Sequence, residues 1–113
     1  MVKERRLFVR FAMSGIVVVQ IDPSKKDTID CELSDLSYDG IALFSPQELK
    51  ADSQIKFIVI NGQLNVNIGG LGKVVYCKPV LYNDKSYFRV GIQFMEVDRA
   101  QVRTILTRVR DIL

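Results

Sequence analysis

The sequence predicts a domain dominated by β-structure: a small six-stranded antiparallel barrel with one C-terminal helix laid against it. Three observations carry this. Short β-branched or alternating runs recur between turn residues through most of the chain. An Asn61-Gly62 pair stands between two apolar runs, the strongest short-range hairpin signal there is. Beyond Asp98 the apolar period changes from two to three or four.

The elements follow in order. Ile16 to Ile21 is β-branched and apolar on both parities, and Asp22-Pro23-Ser24 ends it. From Thr28 to Ser34 the pattern alternates, with Ile29, Cys31 and Leu33 on one face and Asp30, Glu32 and Ser34 on the other. Gly40 to Phe44 is a short strand stopped by Ser45-Pro46. Gln54 to Ile60 is the next, and a return strand places Leu64, Val66 and Ile68 opposite Asn65 and Asn67. Gly69, Gly70 and Gly72 interrupt that strand as a bulge or barrel corner would, before Lys73 to Cys77 resumes it. The last strand is the cleanest: Phe88, Val90, Ile92 and Phe94 share one face, Tyr87, Arg89, Gly91 and Gln93 the other. Val102, Ile105, Leu106, Val109, Ile112 and Leu113 then form one helical stripe. Asp98 is its expected N-cap and Gln101 the expected capping-box partner. Residues 1–113 read as a single domain, with a basic arm over 1–10, the barrel over 11–95 and the helix over 98–113.

Composition removes whole classes of function. Apolar residues at 48% and charged residues at 26% exclude a disordered chain. No segment approaches the roughly 18 apolar residues of a membrane span, and no secretory signal opens the chain, so the expected location is cytoplasmic. Histidine is absent, which removes Ser-His and Cys-His nucleophile pairs, His metal ligands and an imidazole base. Ser14 and Ser37 have no neighbouring base, and Asp22, Asp27 and Asp30 do not fit a calcium-loop spacing. Cys31 and Cys77 read as free thiols in strands. An enzyme is therefore not expected, nor any cofactor or metal.

The net charge of +3 is mild, but the cations cluster. Lys3, Arg5, Arg6 and Arg10 face a single acid, Glu4, in the first ten residues. Arg99, Arg103, Arg108 and Arg110 gather at the other end, on the expected solvent face of the helix. Arg6 and Arg10 are spaced RxxxR. In an extended segment that sets two guanidiniums roughly 13 Å apart on one side, a span that suits one bulky anion. Arginine's planar fork pairs with phosphate oxygens or with the O6/N7 edge of guanine. The second pattern is Asp35-Leu36-Ser37-Tyr38-Asp39-Gly40, or DxSxxG, between two strands. Turn chemistry alone explains each of its residues: Asp39-Gly40 would supply positive φ, and Asp35 and Ser37 would bond backbone N–H groups.

ERRLFVRF, then DLSYDG, then GIALF, then VGIQF before a terminal helix resembles the PilZ domain in order and spacing. The resemblance covers nearly the whole chain from Lys3 onward. It implies a six-stranded antiparallel barrel and a receptor for the bacterial second messenger cyclic di-GMP. It also implies that the RxxxR arginines clamp phosphate and guanine while the DxSxxG turn holds a guanine. Carried over residue by residue, the ligand-binding set is Arg6, Arg10, Asp35, Ser37 and Gly40, all present. Arg5, Lys73 and Tyr38 are further candidates for contact. Arg5 and Tyr38 also read as solvated surface residues, and Lys73 as a strand-edge cation that discourages pairing.

The resulting expectation is a sensor or adaptor that changes conformation on binding cyclic di-GMP and signals through a protein effector, or through an oligomer formed by the terminal helix. Its basic arm is expected to fold over the ligand. Two alternatives stand beside it. One is a degenerate PilZ scaffold acting only in protein–protein interaction. The other is a small basic barrel for single-stranded nucleic acid, which needs aromatic platforms across one sheet face. Phe88 and Phe94 lie instead on the core parity.

Overall fold

A computed structural model describes residues 10–22 and 24–112. Seven strands and one helix follow in order: β1 (Phe11–Ala12), β2 (Ile16–Gln20), β3 (Ile29–Leu36), β4 (Gly40–Ser45), β5 (Gln54–Asn61), β6 (Val66–Tyr82), β7 (Lys85–Val97) and α1 (Arg99–Ile112). All pairings are antiparallel. Strands β3, β2, β5, β6, β7 and β4 lie side by side in that order, and β4 returns to β3. This is the expected closed six-stranded barrel, with no free edge among those six; β1 is a short addition on β3. The expected arm over residues 1–9 lies outside the described residues.

Alternation builds the interior. β5 buries Ile55, Phe57 and Val59 and exposes Gln54, Lys56 and Ile58. From β2 come Val17 and Val19, from β3 Cys31, Leu33 and Leu36, from β4 Ile41 and Leu43, and from β7 Val90, Ile92 and Phe94. Phe57 and Phe94 stack across the core with centroids 5.5 Å apart. Burial pushes the Cys31 thiol up to about 11, with a bond to Ser45 opposing the rise, so it stays protonated at neutral pH. Cys77 is half-buried, and its Sγ accepts from the Leu49 N–H at 3.4 Å.

Helix α1 closes the chain as the period requires. Val102, Ile105 and Val109 are buried, while the side chains of Ile112 and Leu113 lie outside the description. Asp98 caps the helix, its Oδ1 accepting from the Gln101 N–H at 3.0 Å. Gln101 does not complete a capping box; its Nε2 donates to the Asn67 carbonyl at 3.1 Å. With Arg108 Nη1 donating to the Leu64 carbonyl at 3.3 Å, this ties α1 across the β5–β6 turn.

Several turns differ from expectation. The β5–β6 connection is a longer loop over 62–65 in which Asn65, not Gly62, has positive φ. Asn65 and Leu64 therefore belong to the turn, and buried Asn61 holds it by accepting from the Leu64 N–H at 3.0 Å. β6 runs unbroken for 17 residues, so the glycines do not divide it, but the expected irregularity is there at Gly72. Its pairing with β7 shifts between Leu71 and Gly72 and between Val74 and Tyr76. Val75 and Met95 are the residues left without a partner at these shifts, and both are exposed apolar side chains on the outward parity of their strands. The β6–β7 hairpin turns at Asn83-Asp84, both with positive φ, a pair of residues that tolerate the left-handed region.

Candidate functional site

The alternation of β3 points Ile29, Cys31 and Leu33 toward the core, and by parity Asp35 would follow them inward. The pairing with β4 prevents this. Leu33 faces Leu43 and Asp35 faces Ala42, so Ser34 is an extra residue with no partner on β4. This bulge reverses the phase: Asp35 emerges on the outer face and Leu36 is fully buried. A carboxylate in the core would cost several kcal/mol (~5 or more) without a partner; outside, it finds two.

Arg10 immediately precedes β1, whose Ala12 pairs with Asp35, and Arg10 Nη1 donates to Asp35 Oδ1 at 2.9 Å. Arg89 comes from β7 and reaches across β4. Its Nη2 donates to Asp35 Oδ2 at 3.2 Å and its Nη1 to Ser34 Oγ at 3.0 Å. The Arg89 guanidinium also lies 5.5 Å from the centroid of the Phe44 ring. Phe44 in turn stacks on Tyr82 at 4.5 Å, and Tyr82 Oη donates to Glu32 Oε1 at 3.2 Å. The Glu32 carboxylate holds the Tyr82 phenol above its ordinary value. Two guanidiniums around one carboxylate leave one positive charge in excess, at a place where the Asp35 side chain is only 14% exposed. Such a centre attracts an anion while keeping an acceptor for a donor-bearing base.

The DxSxxG turn follows directly. Ser37 is fully buried; its Oγ donates to Asp39 Oδ1 and, at 3.3 Å, to the Gly40 carbonyl, and its N–H donates to the same carbonyl at 2.9 Å. Ser37 thus braces the turn that supports Asp35. Gly40 is needed for a reason other than the expected positive φ, which neither it nor Asp39 adopts. A Cβ on Gly40 would come within 2.2 Å of the Ile92 carbonyl oxygen, so glycine lets β7 approach β4. Tyr38 projects from the turn toward α1. Arg99 and Arg103 lie over its ring at 5.3 and 5.4 Å; Arg99 Nη1 donates to the Tyr38 carbonyl and Arg103 Nη2 to its hydroxyl. These arginines lie on the exposed face of the helix as expected, and from there they also join the helix to the turn.

The structure therefore brings Arg10, Asp35, Ser37 and Gly40 together. Lys73 stands apart on β6, two strands from Gly40 across Gln93, with its Nζ 3.5 Å from Asp52. Arg5 and Arg6 lie outside the described residues. Arg89, Ser34 and Phe44 are new members of the site. The only sequence signal for Arg89 was a cation on the solvent parity of β7, which reads as ordinary surface. Among the described residues no group of His, Cys, Asp or Glu is placed to hold a metal ion, and no helix is long and apolar enough to cross a membrane.

A family model described as PilZ domain matches residues 4–111. This chain belongs to the PilZ domain family. No curated protein matches its sequence. Among solved structures, the PilZ fold is shared with Bacillus subtilis MotI/DgrA, an inhibitor of motility, at TM-score 0.76 and 14% identity over 96% of this chain and 51% of that one. It is shared with the PilZ domain of Escherichia coli YcgR, solved with cyclic di-GMP, at TM-score 0.72 and 17% identity over 96% and 91% of the two chains. It is shared also with K. pneumoniae MrkH in its cyclic di-GMP complex, at TM-score 0.73 and 18% identity over 98% and 53%. The chain thus spans about half the length of MotI/DgrA and MrkH, and nearly all of the PilZ domain of YcgR.

Proposed function

We propose that this PilZ domain is a cytoplasmic receptor for cyclic di-GMP, a binding module and not an enzyme. The observation that carries the reading is Asp35, turned out of the core by the Ser34 bulge and held beside Arg10, the second arginine of RxxxR. Cyclic di-GMP presents phosphates that arginine binds by forked hydrogen bonds, and guanine edges whose N1–H and N2 amino donors need an acceptor. The ligand set is Arg6, Arg10 and Asp35, with Ser37 and Gly40 shaping the turn. Arg5 and Tyr38 are placed in sequence to add contacts; the Lys73–Asp52 pair favours leaving Lys73 out.

The test is calorimetry of the purified protein and of Asp35→Ala with cyclic di-GMP, with cyclic di-AMP in competition and heparin as a charge control. Asp35→Ala is expected to lose cyclic di-GMP affinity ten- to a hundredfold, for about 1.5–3 kcal/mol of charge-assisted bonding. Heparin binding should hold or rise, because Arg10 and Arg89 are left uncompensated. Adenine has no N1–H donor, so cyclic di-AMP that competes equally with cyclic di-GMP would overturn the reading.

Transmission of the signal is the finer part of the proposal. The basic arm over residues 1–10 closes on the ligand once phosphates neutralise Arg6 and Arg10, and the ordered arm is presented to a protein effector. The apolar stripe of α1 is already packed on the barrel, so a homo-oligomer through α1 would use its arginine-bearing face. Amide exchange over residues 3–12 is expected to slow strongly with ligand; equal protection in both states would mean a preformed site.

A further inference from the structure

Asp35 offers two carboxylate oxygens, and the fold treats them differently. Oδ1 is held by Arg10 and Oδ2 by Arg89. The two donors are not equally free. Arg10 stands just before two-residue β1, and it belongs to the RxxxR pair that an anionic ligand would engage. Arg89 sits in the interior of 13-residue β7, with Phe44 opposite it on β4 and Lys78 opposite it on β6. Its guanidinium is further fixed by Ser34 Oγ and the Phe44 ring.

We propose that Arg89 is the positioning residue of Asp35, keeping Oδ2 occupied so that Oδ1 faces the guanine when Arg10 turns to the ligand. The inference rests on the cyclic di-GMP reading. When Arg10 turns its fork to a phosphate, it gives up the bond that satisfies a nearly buried carboxylate. With Arg89 in place, its departure leaves Asp35 still paired and still aimed. Without Arg89, the carboxylate would be left unpaired or would hold Arg10 back as a competitor for the ligand. The site calls for arginine because one planar fork spans Ser34 and Asp35 at once, which the single ammonium of lysine does not reproduce.

The experiment is a double-mutant cycle by calorimetry with cyclic di-GMP, on the wild type, Arg89→Gln, Asp35→Asn and the double variant, each checked by thermal melting. Arg89→Gln is expected to weaken binding tenfold or more in the wild-type background and by less than twofold in the Asp35→Asn background. Arg89→Lys should recover less than half of the loss on a logarithmic scale. A general loosening of the barrel would lower affinity in both backgrounds alike, and that result overturns the proposal, as does wild-type affinity in Arg89→Gln. If Arg89→Gln does not fold, Ser34→Ala takes its place, since it removes one anchor of Arg89 and leaves every charge. It should weaken binding at least threefold, again only when Asp35 is present; no effect there overturns the proposal. A folded wild type that fails to bind cyclic di-GMP removes the functional reading itself, and this inference with it.

Discussion

Arg10→Ala is expected to bind cyclic di-GMP ten- to a hundredfold more weakly than the wild type while melting at nearly the same temperature. The binding loss is that of a charge-assisted partner, about 1.5–3 kcal/mol. The stability loss is small because removing Arg10 leaves Asp35 bonded to Arg89, so no buried charge is orphaned. Calorimetry and a thermal melt of the same sample separate the two effects. A folded Arg10→Ala protein with unchanged affinity would show that the ligand is held elsewhere.

The largest effect on stability is expected at the centre of β5. Phe57 is 1% exposed, lies opposite Val19 on β2 and Gly70 on β6, and stacks on Phe94. Phe57→Ala should cost about 3–5 kcal/mol, because the closed barrel around it cannot collapse into the space left behind. That is a large part of the roughly 5–15 kcal/mol that holds a domain of this kind folded. Urea unfolding measures it: the midpoint should fall sharply at an unchanged slope. A loss below about 1 kcal/mol would mean that the interior repacks, contrary to the tight enclosure seen here.

The barrel was legible because its signals are local and repeated. Alternation in β5 and β7 located the interior, and the period of α1 located its buried stripe. What escaped depends on pairing between strands distant in sequence. The contact of Arg89 with Asp35 spans 54 residues and exists only because β4 lies between β3 and β7. Gly40 was singled out for a backbone angle it does not adopt; the close approach of Ile92 belongs to a neighbouring strand that its own sequence does not announce. The Asn83-Asp84 turn lacks glycine, and so its hairpin was harder to read than Asn61-Gly62. The phase of Asp35 escaped for the same reason as Arg89, since Ser34 is unpaired only relative to β4.

That unpaired serine bears on how the motif travels between proteins. A binding sequence is usually thought of as a set of letters at fixed intervals, which any barrel of the right shape might receive. Here the letters would arrive pointing the wrong way. Copied together with Leu33 and Ser34 onto a regularly paired hairpin, Asp35 would face the interior and Leu36 the solvent, and the recipient would lose both its core and its ligand. Deleting Ser34 from this chain would instead set Asp35 directly after inward-facing Leu33, so plain alternation would keep Asp35 outside and Leu36 inside, at the loss of the hydroxyl that anchors Arg89. The transferable unit is therefore the motif together with its phase relative to the core, and a designer grafting this motif would have to carry the irregular strand or drop the extra residue with it.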